Sequence, residues 1–275
     1  MSDDHVYLAL AEEHEDSARW AYGTGFEDPL HGVDTAVPAG VDTGRLAAEC
    51  IALGDDALIC AQRLAEWTTR APELEEEVAL ANIGLDLLGQ ARLLYARAGQ
   101  VDGSGRGEDA YAYFRDARDF RNVRLVELPC GDFAFSVTRL LVLSSWRLAH
   151  FQTLAAHPDP VLSAIAAKGV QELTYHRQYA AQWVVRLGDG TEESQRRLLA
   201  ALEETAPHLD ELFAAHDARD EVVDVLRQVT EEAGVPLPGG RPLPGAGRDG
   251  DHTEHLAPLL VELQSVARAH PDATW

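Results

Sequence analysis

Lysine is almost absent from this chain. Of its 23 basic residues a single one, Lys168, is lysine and the others are arginine. Cysteine is nearly as scarce: Cys50, Cys60 and Cys130 lie far apart and form no Cys-x-x-Cys pair. That spacing excludes a disulfide framework and a thiolate-bound zinc or iron–sulfur centre, leaving the three thiols as small buried hydrophobes. Positive charge is in deficit overall, with 23 Lys plus Arg against 46 Asp plus Glu, a net charge of −23 and a pI near 4.7. A phosphate backbone or an anionic lipid surface would be repelled, which excludes nucleic acid and membrane as partners and leaves a basic protein attractive.

Long apolar runs are missing too. The stretch Leu140 to Leu143 is flanked by Arg139 and Arg147, and nothing approaches the roughly 20 uninterrupted apolar residues that span a bilayer. Asp3 and Asp4, directly after Met1 and Ser2, replace the basic region and apolar core of a signal peptide, so the cytoplasm is the expected location. No segment shows a convincing period-two strand pattern. The glycine-rich stretches lack the Lys-Ser/Thr of a phosphate loop, and no Ser/His/Asp or Cys/His arrangement is supported locally, so the sequence offers no nucleophile.

What the chain has is helical periodicity over 275 residues, 46% of them hydrophobic, enough to fill a sizeable core. Residues 1–40 are acidic and broken by glycine and proline, which reads as a mobile N-terminal extension; residues 41–275 read as a single domain. Four long helices are predicted, over 41–69 with Asp42 as N-cap, 73–98 stopped by Gly99, 132–156, and 161–187. A short aromatic helical segment is predicted over 108–120. Further helices are predicted over 192–215, 217–233 and 253–269. The fold class is therefore all-α, with the first four long helices forming a bundle.

These four helices form two hairpins, and the second helix of each carries a polar stripe in an otherwise apolar setting. Asn82, Asp86 and Gln90 in one and Lys168, Glu172 and His176 in the other both follow i, i+4, i+8 spacing, which places each trio on one face. Duplicated hairpins are how ferritin-like bundles are built. Such bundles hold two metals with a Glu from each of two helices and a Glu-x-x-His from each of the others. Only Asp28-x-x-His31 and Asp249-x-x-His252 place an acid three residues before a histidine, and both lie among glycines and prolines.

His176 has Leu173 at that position, and Gly89 follows Asp86 where a histidine would be needed. The first helix offers Asp55 and Asp56, but the third offers only Ser144 and Ser145. The pattern predicts a polar seam, Asp55, Asp56, Asn82, Asp86, Gln90, Lys168, Glu172 and His176, with no catalytic residue and no metal in this chain. Buried acids need a cation: either Lys168 supplies it, with Asp56 or Asp86 as a partner beyond Glu172, or Lys168 projects to solvent beside the i, i+4 acid Glu172.

Several segments resemble one known family. They are Leu53-Gly-Asp-Asp56, Gln62-Arg-Leu-Ala-Glu-Trp67, Ala71-Pro-Glu-Leu-Glu75, Leu80-Ala-Asn-Ile-Gly-Leu-Asp-Leu-Leu-Gly-Gln-Ala-Arg92, Arg115-Asp-Ala-Arg-Asp-Phe-Arg-Asn122, Glu172-Leu-Thr-Tyr-His176 and His252-Thr-Glu-His-Leu256 with Gln264. From Val41 to Trp275 the chain is similar to the C subunits of ring-1,2-phenylacetyl-CoA epoxidases, also called phenylacetate-CoA oxygenases. The resemblance implies a ferritin-like subunit of a bacterial complex. In that complex a homologous A subunit holds the di-iron centre and binds the CoA thioester, and a separate reductase supplies electrons. The expected role is a non-catalytic structural subunit in aerobic phenylacetate catabolism that pairs with and stabilises the catalytic one. The alternative is a stand-alone ferritin-like metalloprotein using Asp55 or Asp56, Asp86, Glu172 and His176 in an incomplete or unusual metal site.

Overall fold

The computed structural model describes residues 30–273. Most of the extension predicted over 1–40 lies outside them. Its last part is docked: Leu30, Val33 and Val37 pack against the core, and Arg97 Nη1 donates to the Thr35 carbonyl at 2.8 Å. The packed domain therefore already includes Leu30.

Helix α1 spans Thr43–Ala65, with Asp42 accepting from Arg45 N at 3.0 Å as N-cap. Helix α2 spans Leu74–Val101, three residues beyond the predicted end. Gly99 does not stop it. A Cβ there would stand 2.0 Å from the Arg106 carbonyl, so the glycine lets the following turn fold back onto the helix. The segment predicted over 108–120 divides into α3, Glu108–Tyr113, and a 3-10 turn at Ala117–Asp119. A second such turn, Arg124–Glu127, has no predicted counterpart.

Helices α4, Phe133–Leu154, and α5, Pro160–Asp189, are capped by Asp132 and Asp159, whose carboxylates each accept an N-terminal amide proton at 2.9 Å. Pro160 at the first helical position costs nothing, because that N–H has no intrahelical partner. The single helix predicted over 192–215 is three pieces: α6, Glu192–Thr205, a 3-10 turn Ala206–His208, and α7, Leu209–Ala215. Pro207 lies in the turn and cannot donate to the preceding one, which is why the helix breaks there. Helix α8, Arg219–Glu232, and helix α9, Leu256–Ala269, complete the order. No strand occurs among the described residues.

The α1–α2 and α4–α5 hairpins meet mainly through α2 and α5, giving a ferritin-like four-helix bundle; α6 and α8 then cover α4. Of the 22 residues of α4, 19 are buried, as expected of a helix walled in on every side. Each fully buried Leu, Ile or Phe contributes about 2 kcal/mol, and Ile59, Ile83, Leu94, Leu141, Phe151 and Leu226 are all in this class. Arg97 and Asp159 form a buried ion pair between the end of α2 and the start of α5. No described helix is long and apolar enough to cross a membrane.

Candidate functional site

Asp55 and Asp56 occupy the middle of α1 and are both fully buried. Neighbouring residues on a helix point about 100° apart, so the two carboxylates meet different partners. Asp55 accepts from Tyr95 OH at 2.6 Å and from Arg121 N at 2.7 Å, and pairs through both oxygens with Arg115. Gly54 makes the approach of Tyr95 possible, because a Cβ there would lie 2.6 Å from the ring. Burial, and then the charge of Asp55, push the Tyr95 hydroxyl well above its usual pKa and keep it a donor. Asp56 accepts from Val123 N at 2.8 Å and forms a two-pronged pair with Arg248 at 2.9 and 2.6 Å.

The third partner of Asp56 is Arg147, from α4, at 3.6 Å. This guanidinium is fully buried. Its Nη1 donates to the Leu53 carbonyl at 3.2 Å and its Nη2 to Gln90 Oε1 at 2.9 Å, while its carbon lies 4.9 Å from the Phe151 ring centre. Burial lowers the Arg147 pKa from its ordinary value, with Asp56 opposing that shift. Gln90 Nε2 passes the chain on to Glu172 at 2.9 Å, and Lys168 donates to the same carboxylate. One connected line thus crosses all four helices, from Asp56 on α1 through Arg147 on α4 and Gln90 on α2 to Glu172 and Lys168 on α5.

The eight residues expected to form a seam divide accordingly. Gln90, Lys168, Glu172 and Asp56 share this line, and His176, fully buried, meets Asp86 at 3.0 Å. Asn82 is exposed and takes no part. Of the two readings of Lys168, the one that gives it Asp56 or Asp86 as a partner is overturned. The Lys168 side chain is 31% exposed and, among the described residues, reaches Glu172 alone, while Asp56 is compensated by Arg147 and Arg248 and Asp86 lies 3.0 Å from His176. Arginine fills the compensating role because a planar fork can serve a carboxylate and an amide at once.

Sequence reasoning missed Arg115, Arg147 and Arg248. The signal for Arg147 was available: a cation in the middle of a helix apolar all round must be buried and must have a partner. For Arg248 there was none, since 192 residues separate it from Asp56. A second buried acid was also overlooked. Glu127 accepts from Asn122 Nδ2 at 2.8 Å, His252 Nδ1 at 2.6 Å, and Thr253 N and Oγ1 at 2.6 and 2.7 Å. It anchors the segment leading into α9, and Gln264 Nε2 secures that helix with 3.0 Å bonds to the Ala112 and Arg115 carbonyls.

A di-iron centre does not fit these residues. No group of three or more His, Cys, Asp or Glu that could hold a metal occurs among the described residues. Arg147 is made only of donors and offers no lone pair. The two central aspartates are already engaged by arginines.

The class is therefore a ferritin-like bundle in which guanidinium groups meet the central acids. Residues 34–275 match the family described as phenylacetic acid catabolic protein, and the chain belongs to that family. It is similar to the C subunit of the 1,2-phenylacetyl-CoA epoxidase of Escherichia coli (strain K12), with 39% identity over 247 residues, covering 84% of this chain and 99% of that protein.

Proposed function

We propose that this chain is a non-catalytic structural subunit of a phenylacetyl-CoA epoxidase complex, acting in the cytoplasm in aerobic phenylacetate catabolism. It pairs with and stabilises a homologous catalytic subunit that holds the di-iron centre, and a reductase supplies that subunit with electrons. Family membership and similarity over almost the whole length of an epoxidase C subunit support the assignment to the complex. The observation that carries the non-catalytic reading is the buried Arg147 guanidinium between Asp56 and Gln90. It supplies positive charge to the bundle core without a metal and leaves no open coordination position. A metalloprotein reading would need Asp55 or Asp56 free to converge with Asp86, Glu172 and His176; Asp86 and His176 do meet, but the two aspartates of α1 are engaged by arginines and Glu172 by Lys168.

Co-expression with the catalytic and reductase subunits tests the proposal. This chain should elute with the catalytic subunit in size-exclusion chromatography, and epoxidation of phenylacetyl-CoA should require that subunit. Turnover by this chain and a reductase alone would overturn the reading. So would about two irons per chain, the complement of such a site, retained after dialysis against a chelator.

A further inference from the structure

On the outer side of α1, next to Asp55 and Asp56, lies a cleft of about 490 Å³ whose walls include Arg106, Arg115, Arg121 and Arg248. Such a concentration of guanidinium groups is unusual in a chain of net charge −23. The four differ in how far they are committed. Arg115 spends its donors on Asp55, Tyr95 and the Tyr111 and Asp119 carbonyls. Arg248 binds Asp56 with its two terminal nitrogens, its Nη1 also donates to the Ala52 and Arg121 carbonyls, and its Nε has no partner among the described residues. Among the described residues the Arg121 side chain uses only Nη1, on the Arg118 and Phe120 carbonyls, so its Nε and Nη2 protons are uncommitted there and no described carboxylate pairs with it. The exposed Arg106 side chain has no hydrogen bond or ion pair among the described residues.

Two acids share the rim, and both are occupied within their own loops. Asp102 accepts from Tyr111 OH at 2.6 Å and Ser104 N at 2.7 Å. Asp119 accepts from Asp116 N at 3.4 Å and lies 4.0 Å from Arg118. Ala48, Ile51 and Ala52 of α1, together with Tyr111, supply the remaining surface.

We propose that this cleft binds a small organic phosphate ester, its phosphate taken by Arg106, Arg121 and Arg248 and its organic part resting on Ala48, Ile51 and Ala52. Phosphate is favoured over carboxylate because the free donors come from three separate segments of chain. One carboxylate offers two oxygens, whereas a phosphate can accept forked pairs from more than one guanidinium. Arg248 holds Asp56 through its terminal nitrogens, so an occupied cleft would also brace the turn at Gly247–Asp249 against α1.

Calorimetric titration of the full chain at constant ionic strength, with phenyl phosphate, inorganic phosphate and benzoate, tests this. Phenyl phosphate should bind best and benzoate worst. The double substitution Arg106→Ala with Arg121→Ala should raise the phenyl phosphate dissociation constant at least about tenfold, roughly 1.4 kcal/mol, while Arg227→Ala on α8 leaves it unchanged. Should the double variant fold poorly, Arg106→Gln alone, at an exposed side chain, should weaken binding in the same direction. Absence of binding by both phosphates, undiminished binding by the arginine variants, or benzoate binding as tightly as phenyl phosphate would each overturn the proposal.

Discussion

A guanidinium donates in its own plane and accepts nothing, so in the core it needs acceptors on several sides. Arg147 finds them on two helices, at Leu53 and Asp56 on α1 and Gln90 on α2. Replacing it by Met leaves Asp56 with Arg248 and a backbone amide but removes the link to Gln90. Loss of one member of a buried charged network costs about 3 kcal/mol, and a urea denaturation series of Arg147→Met should show a shift of that size. An unchanged midpoint would mean that Arg248 alone compensates Asp56. His252 supports a pH prediction. Burial lowers its pKa, but the hydrogen bond and charge of Glu127, with the Phe120 carbonyl, more than offset this and leave it above the ordinary histidine value of 6.5. A histidine raised on folding stabilises fully below its unfolded pKa and loses that contribution as pH rises through the folded value. Amide exchange in α9 should therefore accelerate as pH climbs above 6.5, beyond the intrinsic pH dependence, and Glu127→Gln should abolish that excess.

Between elements, closeness of approach is set by a few glycines. At Gly188, near the end of α5, a Cβ would lie 2.2 Å from the Ala233 carbonyl and 2.7 Å from its Cβ, just beyond α8. Backbone cannot step aside as a flexible side chain can, so Gly188→Ala should push the two helices apart and cost about 1–3 kcal/mol. Gly89, inside α2, has nothing within 4 Å of a Cβ. Gly89→Ala should instead stabilise by about 0.5–1 kcal/mol, since glycine is the less favourable residue in a helix interior. Differential scanning calorimetry of the two variants checks both signs. From the sequence, Gly89 reads as a weak point inside an apolar helix and Gly188 as part of the turn that closes one. Only the neighbouring chain distinguishes a contact glycine from a merely permissive one, as it does for Gly99 against Arg106.

At the scale of the molecule, a net charge of −23 means self-repulsion in the compact state. Salt at 0.15 M, with a screening length of about 8 Å, should therefore raise the melting temperature by a few degrees over low ionic strength. A fall would show that the arginine–carboxylate pairs outweigh the repulsion. The all-α class, the two hairpins, the cap Asp42 and the polar stripe on α2 and α5 were legible in the sequence, because helical period and capping are local properties of the chain. What occupies the centre was not. Asp56 meets a residue from α4 and another from the turn before α9, and Asp55 meets one from beyond α3. Which of 23 basic residues lies opposite a given acid depends on how helices far apart in the chain pack, so the tertiary structure alone chose arginine over Lys168.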